Sequence, residues 1–148
     1  MILEAPKATI HFAGEDLFVA ITPSGHAQVL DTDSARSSAA SPLELLLVAL
    51  GGCTAVDVIS ILKKKREQVT DYRVEVRGMR RDEHPRSFIR LEVRHVVRGR
   101  NVSERAVRQA IELSETKYCS VAATLRPAAE IVSSFEIIED AEADPADR

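Results

Sequence analysis

The chain has 148 residues, 45% hydrophobic, 29% charged and 4% aromatic with no tryptophan, and a net charge of −3. That composition fits one soluble globular domain with a core of its own, and it excludes a low-complexity or disordered chain. The last ten residues carry −4 and residues 1–138 carry +1, so neither a nucleic acid nor an anionic membrane is implied as a partner.

Lys7 to Ala13 and Asp16 to Thr22 are β-rich runs that meet at Gly14-Glu15, where a hairpin fits. A third short strand is predicted around His26 to Leu30, after the turn residues Pro23-Ser24-Gly25. Residues 31–41 are small and polar, a loop leading into a helix, and their only cation is Arg36.

The helix has marked ends. Ser41 suits the cap, Pro42 the first helical position, and Glu44 stands where its carboxylate reaches back to the Ser41 amide. Lys63 to Arg66 close the segment, as suits the carbonyl end of a helix dipole. In between, apolar residues cover every side, so the helix is predicted to be buried and wrapped by protein. Leu43 to Leu62 is long enough to span a bilayer, but Glu44 and Asp57 lie within it, and a central acid costs about 2.5–3.5 kcal/mol there. No membrane association is expected. Gly51-Gly52 precede Cys53 in mid-helix. Glycine costs about 1 kcal/mol there against alanine, so the pair implies close approach of another backbone or a substrate.

Asp71 to Arg80 and Phe88 to Arg98 alternate apolar and charged residues, as half-buried antiparallel strands do, around a turn at Arg81 to Arg86. In the second strand Ile89, Leu91, Val93 and Val97 are predicted inward, and the arginine-rich opposite face is read as solvated sheet. Ser103 caps a helix to about Lys117, interrupted at Tyr118-Cys119-Ser120, before a short helical turn over Val121 to Leu125. Glu130 to Ile138 is the last strand. Residues 1–138 form one domain, and 139–148 an acidic, disordered tail. The order gives an α+β domain with an antiparallel sheet, and the central helix asks for a homodimer to cover it.

Cys53 and Cys119 lie 66 positions apart. Lacking a secretory segment before them, they suggest a reducing, cytoplasmic setting. No histidine pair stands at ligand spacing beside either, so no metal is expected. Two such cysteines are also common as inert core residues. His95 falls on an inward strand face as a satisfied core histidine; His26 and His84 read as exposed loop residues.

The pattern Ser-Pro-x-Glu-Leu-Leu-Leu-x-Ala-Leu-Gly-Gly-Cys-Thr (41–54), followed by Lys-Tyr-Cys-Ser-Val (117–121), resembles the OsmC/Ohr family, most of all its short YhfA-like branch. The resemblance implies an intertwined α+β homodimer with active sites at the subunit interface. It also implies thiol-dependent reduction of organic hydroperoxides, with Cys53 as the peroxidatic cysteine, Cys119 as the resolving one, an external dithiol as reductant and no cofactor. The chemistry is consistent: a thiolate opens the O–O bond, and a second thiol condenses the sulfenic acid to a disulfide.

In the family an arginine from an N-terminal loop activates the first cysteine, held by a glutamate directly after the proline. Here Leu43 follows Pro42, and Glu44 comes one residue later, about 100° further around the helix. Glu44 therefore either caps the helix or orients the arginine, for which Arg36 is the candidate. Asp57, four residues after Cys53, can share its face and would raise a thiol pKa. The helical turn after Cys119 favours that thiol as the lower-pKa one, against the family assignment of Cys53 as nucleophile. Leu43 also leaves open a redox-sensing or hydrophobic-ligand-binding module without efficient turnover.

Overall fold

The computed structural model describes residues 5–142, which divide into two compact units parting between Leu46 and Leu47. In the first, Gly14 and Glu15 take positive φ (94° and 51°), which reverses the chain and pairs β1 (Thr9–Phe12) with β2 (Leu17–Ile21). β3 (Ala27–Asp31) adds on the far side of β2, giving an antiparallel sheet in which Phe12 faces Phe18 and Phe18 faces Leu30. The sheet leaves Ile10, Phe12 and Val29 exposed.

Helix α1 (Pro42–Lys64) starts in this unit with a reciprocal cap. Ser41 N–H donates to Glu44 Oε2 at 2.7 Å, and Glu44 N–H donates to Ser41 Oγ at 3.3 Å.

In the second unit α1 buries one stripe, Leu50, Gly51, Thr54, Val58 and Leu62. A helix wrapped on all sides was expected, and the single chain does not provide it. Val48 and Val56 are 66% and 67% exposed, because one sheet and one further helix cover only part of a helix circumference. α1 is long and apolar enough to cross a membrane, yet its buried stripe belongs to a protein core. Gly51 accounts for half of the glycine pair: a Cβ there would come within 3.0 Å of Val76 Cγ2 on the sheet, whereas Gly52 meets nothing.

β4 (Gln68–Arg80) and β5 (Phe88–Arg100) form a long antiparallel pair with Val74 opposite His95 and Val76 opposite Val93. Ile89 departs from the predicted inward set: it is 49% exposed, while Phe88 and Val96 join Leu91, Val93 and Val97 inside. β6 (Glu130–Glu139) pairs with β5 in parallel, Leu91 beside Ile131 and Val97 beside Ile137. This corrects the antiparallel expectation. α2 (Glu104–Leu113), a π turn (Ser114–Tyr118) and α3 (Ser120–Leu125) carry the chain back to the start of β5 before β6 begins, as a parallel pair requires. Val58 and Leu62 of α1, Val97 of β5, and Ala106, Val107, Ala110 and Ile111 of α2 form the core.

The outer face of this sheet carries ion pairs along and across its strands. Arg94 bonds Glu75 and Glu136, and Arg90 bonds Glu92 and Glu130. These pairs sit in water and each contributes little, so this is the solvated face the alternation predicted. Glu139, read from sequence as the first residue of the tail, instead ends β6, and Asp140 N–H donates to Gly99 O at 2.9 Å. Residues 143–148 lie outside the described part.

Candidate active site

Cys53 lies mid-way along α1, with Thr54 beside it on the buried stripe and Asp57 one turn further on. Cys119 reaches the same place from the other direction. The π turn widens the end of α2, with Cys119 N–H donating to Ser114 O at 2.8 Å, and Cys119 then serves as the cap of α3. The two sulfurs and a carboxylate oxygen of Asp57 all lie within 4.8 Å of one another, and both cysteines are free thiols. Cys53 is half-buried; Cys119 is 4% exposed.

A buried hydroxyl pair fixes the carboxylate. Ser114 Oγ donates to Asp57 Oδ2 at 2.9 Å and shares a 2.9 Å hydrogen bond with Thr54 Oγ1. The sequence signal for this network was a serine on the apolar face of the second helix. Only the π turn identifies it as a polar contact to α1. Behind it, Tyr72 Oη shares a 2.7 Å hydrogen bond with His95 Nδ1. Burial and the charge of Asp57 push the Tyr72 hydroxyl well above the ordinary phenol range, and burial pushes His95 down to about 4. His95 is the core histidine the pattern predicted, although its Nε2 has no partner.

The electrostatics of Cys119 run against the helix-dipole expectation. Its Sγ does accept from Ala122 N–H at 3.3 Å, which lowers the pKa. Burial outweighs that bond, with Cys53 and Asp57 adding to it, and the thiol is pushed up to about 11. A dipole contribution of about 0.3–1 kcal/mol from a six-residue helix does not offset the loss of water around a thiolate. The Cys53–Asp57–Cys119 trio is the one set of three cysteine, histidine or acidic side chains among the described residues whose donor atoms converge in this way. Beside Asp57 an open groove of about 420 Å³ is lined by Val56, Ile61, Leu113 and Tyr118, with Lys64 and Lys65 at its rim.

Arg36 and Glu44 belong to the first unit. Arg36 makes two bonds to Asp31, Nε to Oδ2 at 2.8 Å and Nη2 to Oδ1 at 2.9 Å, and a third from Nη1 to Glu15 at 2.6 Å. Asp31 has a fully buried side chain, and the Arg36 guanidinium with Ser38 holds its carboxyl far below the usual carboxylate range. The acid that orients Arg36 is thus Asp31. The Glu44 carboxylate is taken up by the helix cap, as one of its two expected roles required. Sequence reading missed Asp31 because a bidentate pair between the end of β3 and the loop after it leaves no periodic signature.

Two free thiols against a carboxylate, carried on a long helix and a π turn over a three-stranded sheet, define a two-cysteine α+β protein. The family model "OsmC-like protein" matches residues 34–134, and the chain belongs to that family. It is 42% identical to Protein YhfA of Escherichia coli K12 over 121 residues, 82% of this chain and 90% of that protein. A hypothetical protein from Aquifex aeolicus VF5 superposes with a TM-score of 0.83 at 34% identity, over 94% of this chain and all of the other. The organic hydroperoxide resistance protein OhrB of Bacillus subtilis shares the fold at a TM-score of 0.61 and 14% identity, over 89% of this chain and 98% of that one.

Proposed function

We propose that the protein is a thiol-dependent peroxidase that reduces organic hydroperoxides. The observation that carries this is the approach of the Cys53 and Cys119 sulfurs to within 4.8 Å. Cys53, the more exposed thiol, attacks the O–O bond of ROOH as the thiolate, releasing ROH and becoming a sulfenic acid. Cys119 condenses with it, forming the disulfide and releasing water. An external dithiol then regenerates both thiols by exchange. Apolar side chains of the adjoining groove suit an alkyl hydroperoxide, and an organic hydroperoxide resistance protein with the same fold gives the reading its precedent. Within the first unit, Arg36 is held by Asp31, and Glu44 contributes by fixing the start of α1.

The proposed working form is a homodimer. Val48, Gly52 and Val56 form an exposed apolar row on α1, a seam for a second copy. Light scattering should give twice the 16.3 kDa chain mass at micromolar concentration.

Purified protein with a dithiol should consume cumene hydroperoxide catalytically. One equivalent of hydroperoxide should remove two free thiols without a covalent dimer forming. The alternative, a redox-sensing or hydrophobic-ligand-binding module, draws on the capture of the Glu44 carboxylate by the helix cap. Oxidation of Cys53 without catalytic turnover would favour it.

A further inference from the structure

Closing a disulfide between Cys53 and Cys119 requires Cys119 to lose its proton. A thiol pushed up to about 11 is only about one part in ten thousand thiolate at pH 7, so unaided attack is slow. The sulfur is buried, and water has little access to it.

Asp57 has the placement and chemistry to take that proton. Its carboxylate lies within 4.8 Å of both sulfurs, one helical turn from Cys53. Ser114, itself fully buried and bonded to Thr54, holds the carboxylate in place through Oδ2. Asp57 is half-buried and lines the open groove beside Lys64 and Lys65, so a proton received from the buried thiol has a way out to water. The other titratable groups facing it are Tyr72, which stays protonated, and His95 behind Tyr72.

We propose that Asp57 is the proton acceptor for closure of the Cys53–Cys119 disulfide. In the step, the Cys119 S–H bond breaks toward the Asp57 carboxylate as the Cys119 sulfur attacks the Cys53 sulfur. The bond from Cys53 to its leaving group breaks with its electron pair. From a sulfenic acid the leaving hydroxide takes up the proton and departs as water; no further oxidant is consumed. The biological setting rests on the peroxidase reading, whereas the step itself applies to any activated Cys53.

The test therefore avoids hydroperoxide. One equivalent of Ellman's reagent loads Cys53 with thionitrobenzoate, and attack by Cys119 releases a second thionitrobenzoate, followed at 412 nm by stopped flow. Asp57→Asn keeps an oxygen to accept from Ser114 but is no longer a base. If Asp57 acts only through its charge, removing that charge lowers the Cys119 pKa and speeds release. If it accepts the proton, release should slow at least about tenfold at pH 7. It should also become about tenfold faster per pH unit up to the Cys119 pKa, while the native protein shows a shallow profile. Asp57→Glu should recover part of the rate. Ser114→Ala, which removes only the hydroxyl support, should cost less than Asp57→Asn, and circular dichroism checks that each variant is folded. Unchanged or faster release in folded Asp57→Asn overturns the proposal, as does a native protein that releases no second thionitrobenzoate. Absence of hydroperoxide consumption alongside a slow Asp57→Asn closure would overturn the peroxidase reading and leave this one standing.

Discussion

Acidification from pH 7 to pH 5 should weaken the fold through one residue. His95 is completely buried on β5, and burial pushes it down to about 4, against about 6.5 in an unfolded chain. The unfolded state therefore binds a proton that the folded state refuses, and stability falls as pH drops through the window from 6.5 to 4. A gap of two and a half units corresponds to about 3 kcal/mol in full, of which about 2 kcal/mol is lost between pH 7 and pH 5. Against a total of about 5–15 kcal/mol, with a urea slope of about 1–3 kcal/mol per molar, the midpoint should fall by about 1 M. Asp31 does not blur the window, because its carboxyl is held far below it. His11, His26 and His84 are exposed. Urea unfolding at fixed protein concentration, followed by circular dichroism at both pH values, measures the loss. His95→Leu should flatten the pH dependence. Equal midpoints at pH 7 and pH 5, or a His95 imidazole titrating near 6.5 by NMR, would refute the reasoning. The effect bears on the site because His95 bonds Tyr72, and the charge of Asp57 acts on Tyr72.

Cys53→Ser should abolish the reaction with one equivalent of hydroperoxide, whereas Cys119→Ser should react once and stop at a sulfenic acid. A sulfenic-acid probe found on Cys119 in the first variant and absent from Cys53 in the second would reverse the assignment. Gly52→Ala tests the α1 seam: on an open helix face alanine stabilises by about 1 kcal/mol, so a thermal midpoint that falls, with dissociation by light scattering, marks a second copy packed there. Arg36→Ala should lower the thermal midpoint at pH 7 by leaving the Asp31 carboxylate without its main partner. The difference from the native protein should shrink below about pH 4, because a depressed carboxyl contributes stability above its unfolded pKa and loses it as it protonates.

What the sequence determined by itself is what short-range chemistry dictates. Gly14-Glu15 marked the first hairpin because positive φ favours glycine, and Ser41-Pro42-x-Glu44 marked the start of α1 because a capping box is complete within four residues. The alternating charges of β4 and β5 located a half-buried sheet, and the two cysteine motifs located the family. The tertiary structure decided what depends on residues far apart in the chain. β6 runs parallel to β5 because α2, the π turn and α3 carry the chain back along the sheet, a path that no local pattern encodes. Ser114 finds Asp57 across 57 positions through an irregular turn. The state of the Cys119 thiol was decided the same way. Sequence could weigh the dipole of a short helix on Cys119, but not the removal of water around its sulfur, and desolvation in a packed interior is the larger effect.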